Sequence, residues 1–147
     1  MKIKFKKLNE NAVIPKRATE GSAGMDLCAC ISNSVVISPG RICVIPLGLA
    51  AEVDSSDVAL LIYARSGLAS KYGITLANSV GVIDSDYRGE WKIPLINLGT
   101  EPFTVESGMR IAQLVVTPII RPDIETTDEL TDTQRGVGGF GSTGINK

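Results

Sequence analysis

Short apolar runs, each bounded by turn residues, recur along most of the chain and restrict the folds that it can adopt. One run covers residues 58–63, and its unbroken apolar character predicts a strand that is buried on both faces. Similar runs cover residues 34–38, 42–47, 91–98 and 111–116. Many short strands with regular turn signals predict an all-β sandwich or barrel.

One stretch predicts a helix instead of a strand. Residues 66–73 begin with Ser66, a residue type that commonly caps a helix N-terminus, and they end with Gly73. A short helix with a serine cap and a terminal glycine therefore fits this stretch.

The chain has 147 residues, which fits one domain with its own hydrophobic core. Residues 121–133 are polar and predict a linker that leaves this core. We therefore expect a β domain over residues 1–120, followed by a linker and C-terminal arm over residues 121–147. No internal repeat is visible.

The charge balance and the lengths of the apolar runs argue against nucleic acid and membranes as partners. The net charge is −1 and the isoelectric point is about 5.5, whereas a nucleic-acid-binding domain usually carries a basic face. Lysines 2, 4, 6 and 7 alternate in part with apolar residues, which predicts the solvent face of a first strand. No apolar run approaches the ~20 residues that span a membrane.

The cysteine count and the N-terminus predict a cytoplasmic location. The first residues contain no secretory signal, and an odd count of three cysteines is typical of a reducing compartment. Cys28 and Cys30 resemble half of a metal site, but no fourth thiol exists to complete one. We expect Cys28, Cys30 and Cys43 to be small buried thiols.

The chain contains no histidine. This removes the usual general base near neutral pH and excludes Ser-His-Asp and Cys-His catalytic sites. Proton chemistry must therefore depend on a carboxylate, tyrosine, lysine or cysteine.

Two segments combine residue types that suit a nucleotide. Residues 135–144 carry five glycines, an arginine, a phenylalanine and two hydroxyl side chains, which suit phosphates and a base; a flexible tail is the alternative. Residues 81–90 place two aspartates, a tyrosine and an arginine around a predicted hairpin. Simple turn chemistry is the alternative there.

Three further segments are less distinctive. Residues 64–68 follow a buried strand and open the predicted helix, where free N–H groups favour anions; a plain helix cap is the alternative. For residues 23–27 the alternative is a turn that enters a strand. Within residues 108–114, Arg110 and Gln113 lie beside a buried strand, and for Arg110 structural hydrogen bonding is slightly favoured.

Together, in this order and spacing, the five segments resemble the motifs of the trimeric dUTPase family. The matching stretches read AGMDL, ARSGL, GVIDSDYRGE, GMRIAQL and RGVGGFGSTG, and the resemblance extends from about residue 23 to residue 144. Met25 stands where that family usually has tyrosine, and Ala64 stands where it usually has proline. These two differences concern local geometry and not chemistry. The resemblance implies a jelly-roll-like, distorted β-barrel subunit in a homotrimer with shared active sites.

The resemblance also implies the reaction and the residues around its reacting centre. dUTP would be hydrolysed to dUMP and pyrophosphate by in-line attack of water on the α-phosphorus. Asp84 matches the carboxylate that activates this water, and Tyr87 matches the residue that excludes a 2′-hydroxyl. Asn78 and Val82 match the uracil-binding segment, which reads the base mainly through hairpin backbone groups.

Phosphate and metal binding are implied in the same way. Arg65, Ser66 and Gly67 match the phosphate-binding segment, with Ser66 near the bridge between the α- and β-phosphates. Gln113 matches another phosphate contact, and it joins Asp84 and Ser66 in the implied catalytic set. The implied cofactor is Mg²⁺, held by triphosphate oxygens and waters, with Asp26 reaching it through water.

The C-terminal arm would close over the nucleotide. Arg135, Ser142 and Thr143 match residues that hold the γ-phosphate, Phe140 matches a ring that stacks on uracil, and Gly141 lies between them. The apolar side chains in residues 134–147 are too few to order the segment alone. We therefore expect the arm to be mobile without ligand.

Two alternatives share this fold. A dCTP deaminase-like relative would need cytosine recognition, and a non-catalytic nucleotide-binding protein would not need Asp84. The intact segments around Asp84 and in the arm favour dUTP hydrolysis over both.

Overall fold

The structure is a computed structural model that describes residues 1–139. It consists of eleven strands and one helix within these residues. The strands are β1 (Ile3–Lys7), β2 (Met25–Cys28), β3 (Val35–Ile37), β4 (Ile42–Pro46), β5 (Leu49–Val53), β6 (Val58–Ala64), β7 (Ile74–Leu76), β8 (Gly81–Ile83), β9 (Lys92–Asn97), β10 (Phe103–Val105) and β11 (Arg110–Pro118), and the helix is α1 (Ser66–Tyr72).

The strands pair antiparallel in four sheets. The largest sheet has the order β2-β11-β6-β8, and a second sheet has the order β4-β9-β7. Two small sheets, β1-β5 and β3-β10, complete the layers. The all-β prediction with one short helix is confirmed, although within residues 1–139 the four sheets do not close into one barrel.

One hydrophobic core lies between the inner faces of the sheets. Leu27, Ile62 and Leu114 contribute to it from the large sheet, and Ile45 and Leu95 contribute from the second sheet. Burial of apolar area on this scale is the main term that stabilises the fold. The core fixes the positions of β2, β6 and β11 through Leu27, Ile62 and Leu114.

The strands β6 and β11 form the centre of the large sheet, and each is paired on both sides. Burial along β6 agrees with the sequence prediction in part, because Leu61 and Tyr63 are half-buried while most other positions are buried. Lysines 4 and 6 of β1 are exposed, as the alternating pattern predicted.

The N-cap of the helix α1 lies one residue before the predicted cap, Ser66. Arg65 is the N-cap, in an extended conformation and without a side-chain capping bond, so the prediction of Ser66 as the cap was wrong. The Arg65 carbonyl accepts from the N–H groups of Leu68 and Ala69, and the helix therefore starts directly after β6. Gly73 ends it in the left-handed conformation, with φ 69°, as a glycine at this position favours.

Candidate active site

Three polar segments meet where β2, β11 and β6 lie side by side. Residue Ala64 at the end of β6 is opposite Ala112 of β11, and Asp26 of β2 is opposite Gln113. This arrangement surrounds a cavity of about 370 Å³. Its lining residues are Ala18, Ser22, Ala23, Gly24, Asp26, Arg65, Ser66, Gly67, Arg110 and Gln113.

Two guanidinium groups converge on one carboxylate in this cavity. Arg65 Nε lies 2.9 Å from Asp26 Oδ1, and Arg110 Nη1 lies 3.0 Å from Asp26 Oδ2. Arg65 also donates to the carbonyl of Arg110 at 3.3 Å. Two positive charges against one negative charge make the cluster cationic, and such a cluster suits an anion with several oxygens.

A break in the strand register explains why Arg110 and Gln113 face the same cavity. Side chains alternate along a regular strand, so residues three apart would face opposite ways. The pairing of β11 with β2 shifts between Arg110 and Ala112. Such a shift leaves one extra residue in the strand, and this changes the direction in which the neighbouring side chains point. Arg110 and Gln113 consequently both reach the cavity, while Ile111 and Ala112 are buried.

The amide of Gln113 is fixed by a hydrogen bond on one side and has space beside Gly24 on the other. Its Nε2 donates to the carbonyl of Ala64 at 2.9 Å. A Cβ atom at Gly24 would lie 2.5 Å from Gln113 Oε1, so the absence of a side chain at Gly24 leaves room for the amide. The amide oxygen therefore has a defined position at the cavity wall.

Ser66 and Gly67 are exposed at the mouth of the cavity. They are the first residues of α1, where the backbone N–H groups have no acceptor within the helix. The serine hydroxyl and these N–H groups are available to a phosphate oxygen.

A second group of predicted site residues lies elsewhere on the molecule. Val82 is 63% exposed and Tyr87 is 46% exposed, and Asn78 and Asp84 are also exposed. The predicted hairpin around residues 81–90 was wrong, because within the described residues β8 pairs with β6 and not with a strand that follows it. A turn follows β8 instead, closed by the bond from Tyr87 N to Asp84 O at 3.1 Å.

The two groups of residues are far apart in one chain. Ile83 is opposite Leu60, so Asp84 continues toward the beginning of β6, whereas Arg65 follows its end. At about 3.3 Å per residue, the backbones of Asp84 and Arg65 are roughly 20 Å apart. A single chain therefore does not bring Asp84 next to the cavity that holds Arg65 and Ser66.

Part of the predicted arm lies within the described residues. Arg135 is exposed, and its Nε donates to the carbonyl of Gly138 at 2.8 Å. Residues 119–139 contain no helix or strand. The predicted site residues Phe140, Gly141, Ser142 and Thr143 lie outside the described residues.

The three cysteines are free thiols. Cys28 and Cys30 are buried, as predicted, while Cys43 is half-buried. Burial raises the pKa of the Cys28 thiol above its ordinary value, and the negative charge of Asp26 raises it further. Among residues 1–139, no group of three or more acidic, cysteine or histidine side chains could hold a metal ion.

No helix within the described part of the chain is both long enough and apolar enough to cross a membrane.

Comparison with known proteins identifies close relatives. The dUTPase family profile matches residues 10–144. A deoxyuridine 5′-triphosphate nucleotidohydrolase from Desulfitobacterium hafniense is 49% identical over 146 residues, which cover 99% of this chain and 97% of that one. The protein of that name from Treponema denticola is 50% identical over 141 residues, which cover 96% of this chain and 97% of that one.

A solved structure is similar over nearly the whole chain. The dUTPase of Staphylococcus bacteriophage 80alpha with dUPNHPP matches with a TM-score of 0.88 at 27% identity, covering 98% of this chain and 99% of that chain. This likeness confirms the predicted jelly-roll-like fold.

Proposed function

The chain belongs to the dUTPase family, and from this premise we propose that it is a dUTP diphosphatase that hydrolyses dUTP to dUMP and pyrophosphate. One observation carries the proposal, namely the cationic cavity in which Arg65 and Arg110 converge on Asp26. A triphosphate brings several negative oxygens, and guanidinium groups bind such oxygens through charge-assisted hydrogen bonds.

Within the cavity, each polar group would contact a different part of the triphosphate. Ser66 would donate its hydroxyl near the bridge between the α- and β-phosphates, where negative charge develops as pyrophosphate leaves. The N–H group of Gly67, the amide of Gln113 and the guanidinium of Arg65 would hold non-bridging oxygens. Arg110 joins this set because its half-exposed side chain lines the same cavity.

Asp84 would orient and activate the attacking water. Its carboxylate would accept a proton from the water as the oxygen attacks the α-phosphorus, and the bond from that phosphorus to the pyrophosphate oxygen would break in line. The absence of histidine from the chain leaves a carboxylate as the suitable base.

The remaining proposed contacts select the nucleoside. Asn78 and Val82 would line the uracil site, and Tyr87 would pack against the deoxyribose and leave no space for a 2′-hydroxyl. The arm would supply Arg135 to the γ-phosphate. Phe140 would stack on uracil, Ser142 and Thr143 would hold the γ-phosphate together with Arg135, and Gly141 lies between them in the sequence.

We also propose that each active site is shared between chains. Asp84 must reach the α-phosphorus that Ser66 contacts, yet within one chain the backbones near these residues lie roughly 20 Å apart by strand geometry. A neighbouring copy can supply Asp84 to the cavity, which makes the site depend on assembly. This separation supports the homotrimer that the family resemblance implies.

An exposed apolar face offers a surface for that assembly. On the outer face of the β4-β9-β7 sheet, Ile42 and Val44 are 58% and 55% exposed. Their register partners on β9 are Ile96 and Pro94, which are half-buried. A contiguous apolar sheet face of this kind is typical of a protein interface, and Ile119 and Ile120 are further exposed apolar residues near the end of β11.

The residues present fit a magnesium ion that the substrate itself carries. Among the described residues, Asp26 is the single carboxylate that lines the cavity, and its two oxygens already bind guanidinium groups. Magnesium usually keeps several waters and binds through substrate phosphates with few protein ligands. We therefore propose Mg²⁺ as cofactor, reached by Asp26 through water, where it would neutralise phosphate charge.

We also propose that the protein acts in the cytoplasm. Three free cysteines agree with a reducing, cytoplasmic compartment.

Release of pyrophosphate from dUTP tests the proposed function. The purified chain, with Mg²⁺, should release pyrophosphate from dUTP far faster than from dCTP or UTP. Deamination of dCTP, followed spectrophotometrically, would instead identify the deaminase-like alternative. Binding of dUTP without hydrolysis would identify a non-catalytic nucleotide-binding protein.

A further inference from the structure

The aromatic ring of Tyr87 lies directly on the backbone of Gly89, two residues later in the same loop. A Cβ atom at Gly89 would lie 2.5 Å from Cζ and 2.9 Å from Cε2 of this ring, with Oη as its nearest neighbour. Carbon atoms in contact are normally about 3.5–4.0 Å apart. The ring therefore could not keep its place beside any residue other than glycine.

Backbone conformation does not account for glycine at this position. Among residues 1–139, the glycines with positive φ are Gly40, Gly48, Gly73, Gly108 and Gly136, and Gly89 is not among them. Alanine is therefore compatible with the backbone at residue 89. The three atoms nearest to the added Cβ all belong to Tyr87, so the ring is the group that alanine would displace.

The surrounding loop leaves the backbone little freedom to absorb such a change. Arg88 donates to the carbonyl of Ser85 at 2.8 Å and to that of Tyr87 at 3.2 Å. The Tyr87 hydroxyl donates to the carbonyl of Glu90 at 3.2 Å. Trp91, which is 1% exposed, anchors the end of the loop in the core.

We propose that Gly89 is a specificity-determining positioning residue, because its missing side chain lets the Tyr87 ring lie where a 2′-hydroxyl of the substrate would otherwise fit. This inference rests on the proposed function, in which Tyr87 packs against the deoxyribose. A methyl group at residue 89 lifts the ring, opens space beside the sugar and weakens the discrimination between dUTP and UTP.

The test compares the ratio of kcat/KM for dUTP to kcat/KM for UTP in four proteins. These are the wild type, Gly89→Ala, Tyr87→Ala and the double variant. Gly89→Ala should lower the ratio by about tenfold or more, a change typical of one misfitted contact in a specificity pocket. In the Tyr87→Ala background the same substitution should leave the ratio unchanged, because the ring that it displaces is absent.

Gly21→Ala is the matched control, because an added Cβ there meets nothing within 4 Å and Gly21 has no positive φ. It should leave the ratio unchanged. The melting temperature gives a second measurement. Gly89→Ala should lower the melting temperature of the wild type. In the Tyr87→Ala background, the same substitution should cause little or no further loss. This difference between the two backgrounds identifies a clash with the ring even if the single variant folds poorly.

The possible failures are distinguishable. If the wild type does not hydrolyse dUTP, the proposed function and this inference are both overturned. If the wild type hydrolyses dUTP but Gly89→Ala leaves the ratio unchanged, this inference alone is overturned. The inference is also overturned if Gly89→Ala lowers the ratio equally in the wild type and in Tyr87→Ala, because displacement of the Tyr87 ring would then not be the cause.

Discussion

Replacement of Arg110 by glutamine separates binding of the triphosphate from maintenance of the fold. The Arg110 side chain is 56% exposed, and within residues 1–139 it forms one ion pair, with Asp26. Exposed ion pairs contribute about 0.2–1 kcal/mol to stability, and Asp26 keeps its bond to Arg65. We therefore expect Arg110→Gln to lower the free energy of unfolding by less than about 1 kcal/mol.

The effect on catalysis should be larger. A hydrogen bond to a charged group contributes about 1.5–3 kcal/mol, and each 1.36 kcal/mol changes a rate about tenfold. Loss of one guanidinium contact with the phosphates should thus reduce kcat/KM for dUTP by about 10–150-fold. The loss should shrink as salt is added, because salt screens the attraction between exposed charges.

Arg121→Gln supplies the control. Arg121 is 55% exposed and pairs with one aspartate, Asp57, at 3.7 Å. It also donates to the carbonyl of Ser56, and it is not among the residues that line the cavity. Urea unfolding should give similar small losses for both variants, whereas pyrophosphate release should fall only for Arg110→Gln. Wild-type kcat/KM in Arg110→Gln, or an equal loss in both variants, would refute the phosphate role of Arg110.

Three further predictions concern the base, the assembly and the arm. Asp84→Asn should retain nucleotide binding but reduce kcat by about 10²–10⁴-fold; near wild-type turnover would exclude Asp84 as the base. Val44→Glu places a charge on the apolar face of β4 and should yield monomers by light scattering with little dUTP hydrolysis, whereas active trimers would place the interface elsewhere. Truncation after Thr133 should leave the melting temperature nearly unchanged while kcat/KM collapses, and unchanged hydrolysis would show that the arm has no catalytic role.

The fold was largely predictable because its signals are local. Apolar runs between turn residues located the strands β4, β6, β9 and β11, and Gly73 located the end of the helix. Strand pairing is not local, and the predicted hairpin failed for that reason: β8 pairs with β6, about twenty residues earlier in the chain.

The candidate site was predictable only in part. Asp26, Arg65 and Gln113 were selected from the sequence, and the structure places them in one cavity. For Arg110 the sequence slightly favours structural hydrogen bonding at the edge of the core, and a regular alternation of side chains would place it on the opposite face from Gln113. The register shift in β11 that does so depends on pairing with β2, and an irregular polar pattern at residues 110–113 was the one signal for it.

Mixing of two inactive variants tests the shared active site most directly. Ser66→Ala removes a proposed phosphate contact, and Asp84→Asn removes the proposed base. If the two residues act from different chains of a trimer, each site takes Ser66 from one chain and Asp84 from another. Equal mixing of the two variant subunits then gives about one quarter of the sites an unchanged Ser66 and an unchanged Asp84. We predict that the mixture recovers about one quarter of wild-type pyrophosphate release from dUTP. Activity that stays at the average of the two parent variants would show that both residues act within one chain, and it would contradict the shared site.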